Sequence, residues 1–196
     1  MQKSIAFFDF DGTVTKKDTM LELARFSCGN ISFFAGMAIL LPWLLLMKMG
    51  LITRTKAKEK LLSYFFGNMP LQQFNDTCLL FIKNKLPGLI REEAMRTIES
   101  HLAQQTVVVI VSASAENWVA PWCIKNNLQY ICTRLAIKEN IITGKLLHKN
   151  CNGEEKVIRI KQLFNLSDYT SIYCYGDTPG DKMMLGLATH PYYKTF

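Results

Sequence analysis

Two carboxylates one residue apart, followed at once by a glycine and a hydroxyl residue, stand in Asp9-Phe10-Asp11-Gly12-Thr13-Val14-Thr15. At a strand end such acids can point into one crevice, where ionising both is costly unless a cation lies between them. Gly12 lets backbone N–H groups come close to an anion. A second stretch, Ser112-Ala113-Ser114-Ala115, places hydroxyls and small residues just before a helix, a pattern that serves as a phosphate cradle or as an ordinary helix cap. Lys156 early in a third segment offers an ammonium, though a single lysine is more often solvated surface. Asp177 in Tyr175-Gly176-Asp177-Thr178-Pro179-Gly180-Asp181 repeats the acid-at-strand-end pattern and is a further candidate ligand for a hard cation.

These residues need a scaffold that brings strand ends together. The apolar runs at 4–10 and 106–111 read as buried parallel strands. Between them the pattern predicts helices over 19–27, 31–49, 54–66, 71–85 and 88–103. The second half alternates: a helix over 116–126, strands near Tyr130 and over 172–175, helices over 154–164 and 179–188, and a last strand over 191–195. Residues 136–146, with Glu139-Asn140 between apolar runs, read as a β-hairpin. The expectation is an α/β fold, a doubly wound, mainly parallel Rossmann-like sheet with an inserted α-helical cap and a small β-hairpin. Residues 1–16 and 88–196 would form the catalytic core and 17–87 the cap, with Leu86-Pro87-Gly88 marking one boundary.

Composition narrows the classes. The 196 residues are 49% hydrophobic and 20% charged, enough to close a core, so disordered and collagen-like chains are excluded. Lys and Arg outnumber Asp and Glu by 23 to 16, a net charge of +7 that suits phosphorylated substrates or anionic lipid. Nucleic acid is not expected, because the basic residues cluster beside an apolar stretch without aromatic-basic alternation. Six scattered cysteines read as reduced thiols, and with no export signal expected the compartment is the cytoplasm or the inner face of its membrane.

The ordered set DFDGTVT, SAS, the lysine of GEEK, and GDTPGD resembles the four motifs of the haloacid-dehalogenase-like hydrolases, in the phosphoserine-phosphatase-like branch with a helical cap. The likeness spans nearly the whole chain. It implies that Asp9 is a nucleophile forming an aspartyl-phosphate and that Asp11 is the general acid and then base. It also implies that Mg2+ is held by the Asp9 side chain, the Asp11 backbone carbonyl and Asp177. Ser112 would hydrogen-bond the phosphate with Gly12, Thr13, Ala113 and Ser114 around it, Lys156 would neutralise charge, and Asp181 would steer Lys156 or metal-bound water from the outer shell. Asp18 falls where phosphoserine phosphatases carry an acid for the substrate's amino group. Gly180 stands where many of them have asparagine, and no cap arginine aligns with the one that binds the substrate carboxylate.

Residues 26–47 carry no formal charge over twenty-two positions, and Lys48, Arg54, Lys56, Lys58 and Lys60 follow. That length meets the criterion for a membrane span. A span, however, would put Asp9 on one side of a bilayer and Ser112, Lys156 and Asp177 on the other. Gly36 and Pro42 instead suggest a broken or re-entrant hairpin in one leaflet, or two short helices buried in the cap. An apolar wedge with a basic collar through 26–60 is expected to make peripheral or monotopic contact with anionic membrane. With the ending ATHPYYKTF, it is similar to the bacterial branch containing phosphatidylglycerophosphatase C. The expected activity is a Mg2+-dependent phosphomonoesterase acting on a lipid headgroup. The alternatives are a phosphatase of a small metabolite such as phosphoserine, and a non-catalytic phosphate-binding or membrane-tethering module.

Overall fold

The computed structural model describes residues 3–196. In chain order its elements are β1 (Ser4–Phe8), α1 (Thr19–Lys48), α2 (Arg54–Phe66), α3 (Leu71–Asn84), α4 (Glu92–Ala103), β2 (Val107–Ala115) and α5 (Glu116–Lys125). There follow β3 (Gln129–Thr133), β4 (Leu135–Lys138), β5 (Ile141–Leu146), α6 (Glu154–Leu163), β6 (Ser171–Gly176), α7 (Lys182–Leu185) and β7 (His190–Tyr193). Five strands form one parallel sheet ordered β3-β2-β1-β6-β7, and β4 and β5 make a separate antiparallel hairpin. The expected fold is therefore found.

β1 is apolar along its length because it lies between two parallel neighbours and is covered on both faces. Ile5 and Phe7 pack with Val109, Ile160 and Met184 on one side, while Ala6, Phe8 and Phe10 pack with Ile110, Trp118 and Trp122 on the other. The chain reverses direction across the sheet at β1 and β6, which opens a crevice outside their carboxyl ends. Asp9 and Asp177 immediately follow those two strands.

The expected helices 19–27 and 31–49 are the two parts of α1, separated at Gly29, whose φ of 78° is a left-handed value that glycine accommodates. The helix continues through Gly36 and Pro42, so neither the re-entrant hairpin nor the pair of buried short helices forms. Gly36 instead permits a close crossing with α2: a methyl group there would lie 2.5 Å from the Tyr64 ring.

Two boundaries also shift. The helix expected from residue 88 begins at Glu92, since Pro87 and Gly88 lie in a 3-10 turn and Ile90 pairs with Thr15. The helix expected over 179–188 is a 3-10 turn followed by the four-residue α7, because Asp181 is engaged with Thr178 in a capping box. The hairpin turns at Glu139 and Asn140, both at positive φ, and leans on the inserted helices. Asn68 N–H donates to the Ile142 carbonyl and Ile142 N–H to that of Met69, each at 2.9 Å. The six cysteines are unpaired, five of them buried.

Candidate active site

Asp9 is 6% exposed and its backbone N–H still donates to the Tyr175 carbonyl at 2.9 Å, so the end of the sheet ladder fixes it. Gly12 adopts φ +88°, and a Cβ there would fall 2.4 Å from Oδ2 of Asp177; no larger residue fits without displacing that acid. Thr13 is buried behind the crevice and donates its hydroxyl to Asp177 Oδ1 at 3.1 Å. Thr13 therefore holds the Asp177 carboxylate, whereas the family resemblance implies that it lies around the phosphate.

Lys156, in the first turn of α6, is 1% exposed. Its Nζ donates to Asp9 Oδ1 at 2.5 Å and to Asp181 Oδ1 at 2.7 Å. The other oxygen of Asp181 accepts the backbone N–H and hydroxyl of Thr178 at 3.0 and 2.7 Å. Both oxygens of Asp181 are therefore occupied in orienting the lysine and the loop after β6. Burial favours loss of the lysine's proton, but the two carboxylates outweigh it and hold the ammonium protonated. Burial pushes the Asp9 carboxyl up to about 7, with Asp181 and Asp11 adding to the effect and Lys156 opposing it. Burial also raises Asp177, whereas Asp181, despite burial, is held low by Lys156 and Thr178.

Carboxylate oxygens of Asp9, Asp177 and Asp181 lie within 4.8 Å of one another. A hard divalent ion fits this donor set, since oxygen ligands match it and positive charge would offset the cost of the buried acids. With Asp181 spoken for, Asp9 and Asp177 are the side chains available to it.

Asp11 is held differently. Its Oδ1 accepts the Thr19 N–H and hydroxyl, both at 2.6 Å, and its Oδ2 accepts the Ser114 hydroxyl at 2.5 Å. Thr19 in turn accepts the Trp118 indole N–H at 2.9 Å. Thr19 and Trp118 carry no signal in the sequence beyond helix-start and core residues, because only the packing of α5 against α1 brings them together. Ser112 is fully buried, and its hydroxyl accepts the Ser114 N–H at 2.9 Å. Ala113 and Ser114, not Ser112, line the crevice.

The crevice is a cavity of about 500 Å³ with Asp9, Asp11, Gly12, Lys156 and Asp177 on its floor. Its upper wall comes from the inserted helices: Asp18, Met20, Leu44 and Met47 of the α1 region, and Arg54, Lys58 and Leu61 of α2. Asp18, exposed at the rim of the cavity, caps α1 by accepting the Leu21 N–H at 3.0 Å; partial desolvation by the cavity wall, and then the charge of Asp11, push its carboxyl up. Lys58 Nζ donates to the Ala113 carbonyl and, at 3.0 Å, to Asn150 Oδ1. Burial lowers its pKa, opposed by Asp11 and Asp18. Within the basic run this lysine resembles its neighbours, and no signal in the sequence sets it on the inward face. At Gly180 a Cβ would lie 2.2 Å from Asn152 Oδ1, a side-chain end that would have to move aside.

The chain belongs to the haloacid dehalogenase-like hydrolases, whose family model matches residues 6–186, and is a phosphatase; its sheet order, strand-end acids and buried lysine fit that class. Among its relatives, Protein CicA of Caulobacter vibrioides is 31% identical over 191 residues, covering 96% of this chain and 85% of the relative. A crystal structure from Bordetella pertussis Tohama I superposes with a TM-score of 0.79 at 22% identity, covering 96% of this chain and 88% of that one. A phospho-aspartyl intermediate analogue of phosphoserine phosphatase gives a TM-score of 0.63 at 25% identity, with 96% and 84% covered.

Proposed function

We propose that the chain is a Mg2+-dependent phosphomonoesterase that works through an aspartyl-phosphate on Asp9, and that its substrate carries the phosphate on a phosphatidylglycerophosphate-like headgroup at the cytosolic face of a membrane. The observation that carries the substrate reading is the cavity's composition: a floor of acids and one buried ammonium beneath a wall containing Leu44 and Met47, which belong to the apolar part of α1. The cap in this reading is residues 17–87, joined by the hairpin that leans on it.

In the first step a carboxylate oxygen of Asp9 attacks phosphorus in line, the phosphorus–oxygen bond to the leaving group breaks, and Asp11 gives its proton to the departing oxygen. In the second, Asp11 takes a proton from water, the water oxygen attacks phosphorus, and the Asp9 carboxylate leaves with inorganic phosphate as product. Oδ1 of Asp11 accepts two donors, which leaves Oδ2, on the Ser114 side, as the oxygen that exchanges the proton with the leaving group and water in this reading. Lys156 balances charge on Asp9 and the transferring group. Asp9, the Asp11 carbonyl and Asp177 would hold Mg2+, whose chemistry is to neutralise phosphoryl oxygens. Gly12, Ala113 and Ser114 surround the phosphate, with Thr13 and Ser112 supporting them from behind and Asp181 steering the lysine.

A second reading, phosphoserine or a similar metabolite, is favoured by the opposite charges of Asp18 and Lys58 on the cavity wall and by the phosphoserine phosphatase structures among the similar folds. Phosphate release from lipid phosphates in mixed micelles, measured beside phosphoserine, separates the two. A kcat/KM at least about tenfold higher on the lipid is expected; faster turnover of phosphoserine would overturn the headgroup reading.

A further inference from the structure

The outer part of α1, residues 30–48, rests on α2 through a single buried stripe of Phe33, Gly36 and Leu40. Helical periodicity puts Phe34, Ala35, Ala38, Leu41, Pro42 and Leu45 on the opposite side, and all six are exposed. Phe34 is 59% exposed, Leu45 50%, and Ile31 at the start of the arm 87%. An apolar face this continuous on a protein surface marks a contact.

Charge at its borders identifies the partner. Lys48 closes the arm, Arg54, Lys56 and Lys60 follow in α2, and the Lys60 ammonium lies 4.4 Å from the centre of the Trp43 ring. At the other end the Arg25 guanidinium lies 5.6 Å from the centre of the Phe34 ring. Apolar side chains bordered by aromatic rings and cations match the boundary between acyl chains and anionic headgroups.

We infer that the outward face of residues 30–48 docks into one leaflet of an anionic bilayer, lying on the membrane and not crossing it. At about 1.5 Å per residue the arm is ~28 Å long, enough to span hydrocarbon. Its inner stripe, however, is fastened to α2, whose Arg54, Lys56, Lys58 and Lys60 would have to enter with it. Leu44 and Met47 continue the inner stripe of the same arm and line the cavity, so docking sets the cavity behind the arm, about one helix diameter (~10 Å) from its outward face. This deepens the headgroup reading and rests on it for the substrate, while the contact itself needs no turnover.

Flotation of the Asp9→Asn protein with phosphatidylcholine vesicles, with and without phosphatidylglycerol, tests it. Binding to the anionic vesicles, weakened by salt and accompanied by a blue shift of the tryptophan emission that comes from Trp43, the exposed one of the three tryptophans, is expected. Phe34→Gln, Leu41→Gln and Leu45→Gln together should lower the bound fraction at least about tenfold. In the otherwise wild-type enzyme they should leave turnover of a soluble aryl phosphate unchanged. As a second probe that spares the apolar face, Lys56→Glu with Lys60→Glu should weaken binding and reduce its salt dependence.

A monodisperse protein that stays with the buffer, or variants that bind as well as the parent, would overturn the inference. So would self-association through this face without vesicle binding, which would assign it to a second copy. Vesicle binding by an enzyme that hydrolyses only phosphoserine would leave the docking intact and overturn the headgroup reading instead.

Discussion

The crevice and the outer arm of α1 invert the usual partition of a folded chain in opposite senses. In the crevice, the Lys156 ammonium and the carboxylates of Asp9 and Asp181 are buried and satisfy one another at 2.5 and 2.7 Å. Along the arm, Ile31, Phe34 and Leu45 are exposed with a single stripe of the helix packed. A buried charge persists only when fixed partners surround it, so the crevice is rigid and intolerant of substitution. An exposed apolar face needs nothing from the rest of the protein, so the arm should tolerate change until its outside partner is present. In the proposed reading catalysis and membrane contact are thereby separated in the molecule, meeting only where Leu44 and Met47 join the cavity wall.

The largest effect is expected for Asp9→Asn, which replaces the proposed nucleophilic carboxylate with an amide: aryl phosphate turnover should fall by about four orders of magnitude or more, while circular dichroism remains that of the parent. Next comes Gly12→Ala, since the added Cβ would collide with Asp177; kcat/KM should fall about a hundredfold and the Mg2+ concentration for half-maximal rate should rise. Lys58→Met frees the tie from α2 to Ala113 and Asn150. Steady-state kinetics should register about a tenfold loss in kcat/KM, with activity on lipid phosphate hit at least as hard as on aryl phosphate. Thr19→Val leaves Asp11 its backbone donor but removes the hydroxyl relay from Trp118, for which a several-fold drop in kcat, about 1 kcal/mol, is expected in single-turnover assays. A large loss from the outward arm variants on a soluble substrate, or a small one from Gly12→Ala, would break the contrast between the two regions.

Much of the crevice is legible in the amino-acid sequence, because strand-end chemistry is local. An apolar run ending in Asp-x-Asp-Gly, or in Gly-Asp, fixes both the strand and where its acids emerge, and Asp9 and Asp177 lie at the ends of neighbouring β1 and β6. The break at Gly29 is likewise visible as a gap between two helical patterns. What escapes depends on tertiary register. Ser112 and Ser114 are indistinguishable by type, and only the packing of β2 spends the first on its neighbour's N–H and leaves the second on the cavity wall. Lys58 reads as one cation of the basic collar until the fold brings its ammonium to the Ala113 carbonyl and Asn150. The hairpin belongs to the second half of the chain by sequence, but hydrogen bonds at Asn68, Met69 and Leu71 fasten it to the inserted helices. Gly36 and Pro42 suggest breaks because such residues weaken helices, yet close packing on Tyr64 and Phe65 accounts for the glycine, and the proline lies on the exposed side.

The central claim is that Asp9 carries the phosphoryl group between two displacements. Rapid acid quenching of the enzyme during turnover of a radiolabelled aryl phosphate, followed by peptide mapping, addresses it directly. Hydroxylamine-labile label on the peptide containing Asp9, absent from Asp9→Asn, is the predicted result. Undiminished turnover by Asp9→Asn, or label on any other residue, would contradict the account.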